Sequence, residues 1–358
     1  MNSNLRAFLN LLLGSFLFWV LAFILFNTIR YNGLSFELKT YSEDDIQLPI
    51  RSFYAYSVLL GLILGFFYAI IEFCFDLYVS KKLILGVTIF LKSLVYFILI
   101  ITVLSLLSLS IEKQVGIELD NDRGWWRNNP FFWNTVIYFI TASIVFSFIR
   151  IANDKFGRGV FLNMLLGTYK RPKEEERILM FVDLKDSTKI AEQLGHEVYS
   201  RFIQDCFKDL NKFLRTYDAE VYQYVGDEAV ISWINKRGFK NNNCINLFLS
   251  FENALLKKSN YYKGKYNFVP VFKAGIHSGK IMIAEVGTVK KELAFHGDVI
   301  NSASRIQSLC NDYHSTLLIS ETVLHQINND IISYEEIKED FTLKGKQKAV
   351  KVYKVTSK

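Results

Sequence analysis

Four long apolar runs constrain the fold of this chain more than any other feature. A helix that crosses a bilayer needs about 20 predominantly apolar residues. The runs cover about 7–28, 52–79, 83–110 and 131–149. Almost every charge-rich stretch follows Arg150, so the sequence predicts an α-helical four-span membrane domain over residues 1–150, followed by a soluble part.

The first apolar run resembles a signal peptide only superficially. It is longer than the apolar region of a signal peptide, and no small-residue cleavage site follows it. We therefore expect it to be retained as a membrane span.

The bulk composition excludes some function classes. The 358 residues carry a net charge of +7, but Lys and Arg are dispersed, without a basic stripe that interleaves with aromatics. This pattern argues against a nucleic-acid partner. The four cysteines have no metal-ligand spacing and indicate small buried residues in a reducing compartment: Cys74, Cys206, Cys244 and Cys310.

The loops between the spans predict the orientation. Lys81 and Lys82 form the turn between spans two and three, and Arg150, Lys155 and Arg158 follow span four. The longer loops carry as many acidic as basic residues. Because basic flanks mark the cytoplasmic side, we expect a multi-pass protein of the cell membrane with both termini and the soluble domain in the cytoplasm.

Three charged residues lie within the predicted spans. Glu72 and Asp76 share one helix face, and Lys92 lies at a similar depth on the next span. A Lys92–Glu72 pair would lower the cost of placing either charge in lipid. Two interpretations stay open: a structural pair or snorkelling lysine, and a signal-coupling element for an unidentified ligand or partner.

Residues 151–177 form a predicted juxtamembrane connector. Its apolar residues fall at helical spacing, which indicates a short amphipathic helix, and the alternative is a solvated linker. Pro172 and the charges after it mark the start of the next domain, predicted over residues 178–358. The apolar positions are Phe161, Leu162, Leu165 and Leu166.

The soluble domain alternates strand and helix patterns. The order βαββαβ predicts an α+β ferredoxin-like layer with its helices on one sheet face. The predicted segments are a strand at 178–183, a helix at 187–216, a hairpin around Gly226-Asp227, a helix at 242–259, a strand pair at 270–286, a helix at 298–312 and short final strands.

Two aspartates lie where this topology brings strand ends together. Asp183 ends the first strand, and Asp227 is at the tip of the neighbouring hairpin. Adjacent carboxylates repel each other unless a cation lies between them, and Mg²⁺ prefers carboxylate and phosphate oxygens. The pair therefore predicts a metal site, with two ordinary turn aspartates as the alternative.

Polar residues at two helix starts are candidates for substrate binding. Lys185, Asp186, Ser187 and Thr188 open the first helix, where free N–H groups can bind phosphate while Ser187 or Thr188 caps the helix. At the last helix Asp298 is the predicted N-cap. Asn301 and Arg305 then share one face and suit ribose positioning and stabilisation of phosphate charge.

The segments FVDLKDST, YVGDEAV and HGDVINSASR, in this order and spacing, resemble the class III adenylyl/guanylyl cyclase domain. The similarity covers about residues 174–356 and includes GIHSGKIMIAEVG and LKGKQKAVKVYKV. The resemblance implies an enzyme that converts a nucleoside triphosphate to a cyclic nucleotide and pyrophosphate.

The resemblance also implies residue roles. Asp183 and Asp227, with the Leu184 carbonyl, would bind two Mg²⁺ or Mn²⁺ ions. Asn301 would orient the ribose, and Arg305 would stabilise the transition state. Lys344 would contact the terminal phosphates. One catalytic domain per chain implies a head-to-tail homodimer with two shared sites.

Two positions depart from the family pattern. Where adenylyl cyclases usually carry a Lys and an Asp (sometimes Thr) that bind adenine, this chain has Gln223 and Ala294. The Glu and Cys pair typical of guanylyl cyclases is also absent. ATP is the favoured substrate, with GTP or a pyrimidine triphosphate as alternatives. A catalytically inactive nucleotide-binding protein, or a membrane receptor or transporter with an accessory domain, would be a different class.

Overall fold

The structure is a computed structural model of the chain. It describes residues 3–41, 50–79, 83–115, 127, 130–156, 163–164, 166–289, 291–328, 332–341 and 350–357. The chain divides into two compact units, Met1–Ala152 and Asn153–Lys358.

Long apolar helices form the first unit. They are α1 (Ser3–Tyr41), α2 (Ile50–Cys74), α3 (Leu85–Val115) and α4 (Pro130–Phe156), and α2 continues into a π-helix at Phe75–Val79. Among the described residues, four stretches of mean hydropathy between 1.9 and 2.4 are long enough to cross a membrane, namely Phe8–Arg30, Tyr54–Val79, Gly86–Val103 and Phe132–Asn153. The prediction of four helical spans is confirmed to that extent.

Two glycines let α1 and α2 approach closely. A Cβ atom at Gly61 would lie 2.5 Å from the Val20 Cα, and one at Gly65 would lie 3.0 Å from the Ser15 carbonyl oxygen. Glycines spaced four apart are a known device for close packing of membrane helices. The segment Gly61-Leu-Ile-Leu-Gly65 therefore sets this interface.

Aromatic side chains fill the interior of this unit. The Tyr68 ring lies 4.2 Å from the Trp19 ring and 4.1 Å from the Tyr96 ring, between centroids. Phe139 and Phe146 belong to the same buried cluster. Lipid tails are as apolar as these side chains, so the hydrophobic effect does not drive helices together within a membrane. Aromatic rings instead stabilise the contact between helices by dispersion.

A charged network joins three of the helices. The Lys92 ammonium donates to Glu72 Oε2 at 2.7 Å, which confirms the predicted pair. Tyr96 donates to the other Glu72 oxygen, and Arg150 of α4 donates to Asp76. Arg150 also lies 3.7 Å from Glu72. The acids of α2 are thus matched by bases of α3 and α4.

The second unit is a sheet with helices packed on it. Its strands are β1 (Lys173–Leu184), β2 (Glu220–Val225), β3 (Glu228–Ile234), β4 (Phe272–Val286), β5 (Glu292–His296), β6 (Leu317–Ser320), β7 (Ile332–Phe341) and β8 (Val350–Ser357). Its helices are α5 (Ser187–Leu214), α6 (Asn235–Gly238), α7 (Asn243–Lys257), α8 (Ser259–Tyr266), α9 (Asp298–Ser308) and α10 (Glu321–Leu324).

The strand order is β2-β3-β1-β4-β6-β8-β7, and β5 pairs with β4. The first four strands of this order pair antiparallel with one another, as in a ferredoxin-like layer, whereas β4 pairs with β6 in parallel. The predicted βαββαβ core is therefore confirmed as part of a larger eight-stranded sheet.

The predicted strand pair at 270–286 is wrong, because β4 runs unbroken through His277-Ser278-Gly279. Gly279 serves packing: a Cβ there would lie 2.8 Å from the Val299 side chain of α9. At Gly275 a Cβ would lie 2.2 Å from the Gln307 backbone nitrogen. Both glycines admit α9 to the sheet.

Helices cover both faces of the sheet, so the prediction of helices on one face only is wrong. Ile178, Met180 and Val182 of β1 pack in the core with α5, α7 and α8. Leu179 and Phe181 face the other way and pack with α9 residues. The continuous apolar run of β1 follows from this burial on two faces.

Candidate active site

The fold brings Asp183 and Asp227 together at one end of the sheet. Val182 of β1 pairs with Ala229 of β3, so Asp183 comes beside the start of β3. The β2–β3 turn that carries Asp227 needs Gly226 at φ 60°, a conformation that glycine adopts without strain. Burial and then the negative charge of Asp227 raise the pKa of Asp183 above 3.8.

Two neighbours of Asp183 were not predicted. Gln307 Nε2 of α9 donates to Asp183 Oδ2 at 3.2 Å, and the Lys273 ammonium lies 3.6 Å from the same oxygen. Lys273 is the register partner of Asp183 on β4 and also donates to Asn311. Alternation along β4 places every second side chain on the same sheet face, so the sequence held a signal that Lys273 could lie beside Asp183. The contact of Gln307 with Asp183 could be predicted only from the packing of α9 on the sheet.

Negative charge exceeds positive charge at this strand end. Among the described residues, Asp183, Asp227 and Glu228 face one nearby cation, Lys273. Burial and then the charges of the two aspartates raise the pKa of Glu228. Burial, with the charge of Asp227, raises the pKa of Tyr199 to about 12.

One carboxylate oxygen here is left without a hydrogen bond. Asp227 Oδ2 is buried and has no partner within the described part of the chain. A buried anionic oxygen of this kind is costly unless a cation or donor meets it. The donor set, two carboxylates beside the end of a strand, therefore fits a divalent cation with oxygen ligands.

The protein supplies few ligands to such a cation. The described ranges contain no group of three or more His, Cys, Asp and Glu side chains that could hold a metal. The Leu184 side chain is buried in the core, so only its carbonyl is available to the site. Mg²⁺ is commonly bound by one or two carboxylates, with water and substrate phosphates completing its shell.

The segment after Asp183 opens α5, as predicted, but its capping differs. Asp186 occupies the N-cap position in a left-handed conformation, φ 56°, and no side chain caps the helix. The prediction that Ser187 or Thr188 caps α5 is therefore wrong. Lys185, Asp186 and Thr188 are exposed, and Ser187 is half-buried beside the Tyr199 hydroxyl.

Asn301 and Arg305 lie on α9, four residues apart on one face, as predicted. The residues of α9 that pack on the sheet include Val299, Ala303 and Gln307. Arg305 and Gln307 are about 160° apart around the helix axis. Within one chain the structure therefore brings Gln307 to Asp183 and directs the Asn301–Arg305 face away from the sheet.

The predicted N-cap of α9 is also displaced by one position. Gly297 is the N-cap, with φ 134°, and Asp298 is the first helical residue. Only glycine adopts that backbone angle readily. Asp298 still places a negative charge in the first turn, where it suits the helix dipole.

The two departures from the family pattern lie on β2 and β5. Gln223 is exposed and pairs with Val230 of β3, and Ala294 is half-buried and pairs with Ala284 of β4. Their chain neighbours, Tyr222 and Phe295, stack with ring centroids 4.0 Å apart. Lys344, the predicted phosphate contact, lies outside the described residues.

The second unit is similar to known proteins. Residues 169–357 match the family described as the adenylate and guanylate cyclase catalytic domain. Adenylate cyclase 2 of Rhizobium meliloti (strain 1021) is 28% identical over 224 residues, 63% of this chain and 62% of the relative. An adenylate cyclase of Anabaena cylindrica is 26% identical over 184 residues, 49% of this chain and 36% of the relative.

Among solved structures, a bacterial light-regulated adenylyl cyclase matches 65% of this chain and 68% of its own with a TM-score of 0.53. Its 18% identity supports the fold alone. The chain spans less than two thirds of the length of both curated relatives. Because the family pattern covers more than half of the 358 residues and includes both aspartates, the chain belongs to the adenylate and guanylate cyclase catalytic-domain family.

Proposed function

We propose that this chain is a membrane-anchored nucleotide cyclase that converts a nucleoside triphosphate, with ATP favoured, to the 3′,5′-cyclic nucleotide and pyrophosphate. The observation that carries the proposal is the Asp183–Asp227 pair, with a buried carboxylate oxygen that has no hydrogen bond within the described part of the chain. The family membership of residues 169–357 supports it.

Asp183 and Asp227, with the Leu184 carbonyl, are the residues that would hold two Mg²⁺ or Mn²⁺ ions. When bound, such cations supply Lewis-acid chemistry, lowering the pKa of the ribose 3′-hydroxyl and neutralising the triphosphate. Gln307 orients Asp183 through its 3.2 Å hydrogen bond. In the reaction the 3′-hydroxyl loses its proton to water, its oxygen bonds to the α-phosphorus, and the bond to the pyrophosphate leaving group breaks.

The start of α5 binds the phosphates in this proposal. The helix start at Asp186, Ser187 and Thr188 lacks a side-chain cap, which leaves its backbone N–H groups able to donate to phosphate oxygens. The Lys185 N–H donates to the Val271 carbonyl oxygen at 2.9 Å, so Lys185 would act through its side chain. Lys344 contributes positive charge to the terminal phosphates.

Asn301 and Arg305 act on a substrate held by the aspartates of a second copy. Their face of α9 is directed away from the sheet on which Gln307 contacts Asp183, which supports a site shared between chains. Asn301 orients the ribose, and the Arg305 guanidinium stabilises charge that develops on the phosphorus. A head-to-tail homodimer then forms two equivalent sites.

Gln223 and Ala294 occupy the base-binding positions. Gln both donates and accepts hydrogen bonds, and Ala does neither through its side chain, so the pair suits adenine without excluding GTP or a pyrimidine triphosphate. The two relatives named above are adenylate cyclases, which supports ATP.

We further propose the domain arrangement and location. Residues 1–150 anchor the chain in the cell membrane, 151–177 connect, and 178–358 carry the site, with both termini in the cytoplasm. The basic residues after span four and in the turn at 81–82 support this orientation.

A nucleotide-binding protein without turnover is the second candidate function. The absence of the usual base-binding Lys and Asp, replaced here by Gln223 and Ala294, favours it. The aspartates, Asn301 and Arg305 favour turnover, because the groups required for phosphoryl transfer are all present.

The decisive experiment incubates the detergent-solubilised full chain with ATP, GTP, CTP and UTP in separate reactions with Mn²⁺. Chromatography with mass spectrometry identifies any cyclic product. We expect cyclic AMP as the main product and none from the Asp183→Asn variant. Binding of nucleotides without a cyclic product from any of them would favour the second candidate.

Mixed dimers test the shared site. Asp227→Ala and Arg305→Ala chains are each expected to be inactive alone. Mixing them forms dimers in which one site has both aspartates and the arginine, so partial activity is expected. If isolated mixed dimers show no recovery, the shared-site arrangement is wrong.

A further inference from the structure

The two strands that carry the base-binding positions are not neighbours in the sheet. β2 is at the edge, and β3 and β1 separate it from β4, with which β5 pairs. Backbone hydrogen bonds of the sheet therefore do not link β2 directly to β5. A direct link between the two strands therefore needs side chains.

An aromatic contact joins them. The Tyr222 and Phe295 rings stack at 4.0 Å with an interplanar angle of 14°. The Phe295 backbone N–H also donates to the Tyr222 hydroxyl at 3.2 Å. The register of β2 shifts between Val221 and Gln223, so Tyr222 lies in a bulge, a feature that redirects side chains.

A buried arginine lies beside this stack. The Arg177 guanidinium is 5.5 Å from the centre of the Phe295 ring, and the residue is only 6% exposed. Its Nη1 donates to Glu220 of β2 at 2.8 Å and to Ser232 of β3 at 3.3 Å. Its Nε donates to Glu175 at 3.0 Å. Arg177 therefore contacts β2 and β5 at once from its position on β1.

The two glutamates that accept hydrogen bonds from Arg177 have further partners of their own. Tyr169 donates to Glu175 Oε1 at 3.1 Å, and the Lys173 ammonium lies 3.3 Å from the same oxygen. Arg237 lies 3.9 Å from Glu220. A planar guanidinium that is fixed on several sides and faces an aromatic ring is a rigid support.

We propose that Arg177, Tyr222 and Phe295 form a clasp that positions the base-binding strands and so contributes to nucleotide selectivity. Tyr222 directly precedes Gln223, and Phe295 directly follows Ala294, so the stack fixes the spacing of these two positions. The inference rests on the proposed function, because it takes Gln223 and Ala294 as the base contacts. None of the three clasp residues touches the reacting atoms; they are positioning residues.

Paired substitutions on β2 test the clasp. Tyr222→Phe removes the hydroxyl that accepts the Phe295 N–H but keeps the ring. Tyr224→Phe makes the same change two residues away, where the hydroxyl donates to Asn211 and the ring packs against Phe207 of α5. Phe295→Leu removes the stack, and Arg177→Lys keeps the charge without the planar fork.

The readout is the ratio of kcat/KM for ATP to that for GTP in the full chain, with dissociation constants for both nucleotides. We expect Phe295→Leu to change this ratio about tenfold and Tyr222→Phe about threefold, chiefly through KM. Arg177→Lys should lie between them, and Tyr224→Phe should match the wild type.

A ratio that stays at the wild-type value in both Tyr222→Phe and Phe295→Leu would overturn the clasp, even if their unfolding midpoints fall. If Phe295→Leu does not fold, Tyr222→Phe decides alone. Absence of turnover in the wild type would count against the proposed function instead, and the ratio of the two dissociation constants would then decide on the clasp.

Discussion

Each half of the molecule has a cluster of acidic side chains that includes a buried carboxylate oxygen, but the two clusters differ in their counter-charges. In the membrane-span unit Glu72 and Asp76 are met by Lys92 and Arg150, so the charges balance. In the catalytic unit Asp183, Asp227 and Glu228 have Lys273 as the near cation among the described residues. The cluster in the membrane-span unit is electrically neutral, and the cluster in the catalytic unit has an excess of negative charge.

This difference indicates a structural role for the cluster in the membrane-span unit and a cation-binding role for the cluster in the catalytic unit. Charges in an apolar environment persist when they are paired, because an unpaired charge there is expensive. The Glu72 side chain is 1% exposed and has Lys92 and Tyr96 as partners. Asp227 Oδ2 is equally hidden but has no hydrogen-bond partner among the residues that the structure describes, which is expected where a cation completes the arrangement.

The largest expected effect comes from neutralising the surplus charge. Asp227→Asn should lower kcat/KM on the order of 10³-fold, since a metal supplies several kcal/mol and each 1.36 kcal/mol is tenfold. Without divalent cations its unfolding midpoint should equal or exceed that of the wild type, because repulsion with Asp183 disappears. Steady-state kinetics and thermal unfolding measure the two quantities.

The control for this change is Glu197→Gln, which also turns a carboxylate into an amide but at an exposed position on α5. It should leave kcat/KM unchanged. If Asp227→Asn kept full activity, or lost activity only because the domain unfolded, the cluster of the catalytic unit would not be a cation site. The proposed difference in role between the two acid clusters would then be wrong.

The opposite behaviour is expected in the membrane-span unit. Glu72→Leu leaves Lys92 with only Asp76, 3.8 Å away, as a carboxylate neighbour among the described residues. Breaking a buried pair from one side costs about 3–5 kcal/mol in soluble proteins, and pairs in membrane bundles give less. We therefore expect a loss of about 2–3 kcal/mol, measured as a lower unfolding midpoint in detergent.

A double variant sharpens this test. Replacing both partners, Glu72→Leu with Lys92→Leu, removes the isolated charge and should recover part of the lost stability. Tyr96→Phe removes one hydroxyl donor to Glu72 and should have a smaller effect. A double variant that is less stable than Glu72→Leu alone would show that the network does more than balance charge.

Sequence patterns predicted much of this contrast. The Lys92–Glu72 pair followed from depth along two helices, and the convergence of Asp183 and Asp227 followed from a βαββ order. Both inferences use local geometry and the fixed periods of helix and strand. The close contact at Gly61-Leu-Ile-Leu-Gly65 was not predicted, although two glycines four residues apart within an apolar run are a sequence signal for it.

The remaining features depend on packing between distant segments. Gly279 resembles a turn signal in the sequence, yet its role is to admit Val299 of α9. Gln307 reaches Asp183 only because α9 covers the face opposite to α5. The bulge at Tyr222 depends on a one-residue register shift, which period and propensity do not specify.

The smallest expected effect concerns Asp205, a carboxylate of the second unit that is surrounded by hydrogen-bond donors. Burial pushes its pKa up, but hydrogen bonds from Lys265, Tyr266, Tyr261 and Lys208 outweigh burial and hold the pKa well below 3.8. A lowered pKa means that the stabilisation is present above pH 3.8 and is lost as the pH falls through the folded-state value. Asp183, with a raised pKa, has the opposite sign.

Asp205→Asn should therefore lower the unfolding midpoint near pH 7, and the difference from the wild type should shrink below pH 3.8. Exposed ion pairs contribute up to about 1 kcal/mol, which is about 2–4 °C for a domain of this size. Thermal unfolding of the detergent-solubilised chain between pH 3 and pH 7 measures the difference. If the difference in unfolding midpoint stayed constant over this range, Asp205 would act through packing and not through its charge. The comparison of acids with and without counter-charges would then not extend to the pH dependence of stability.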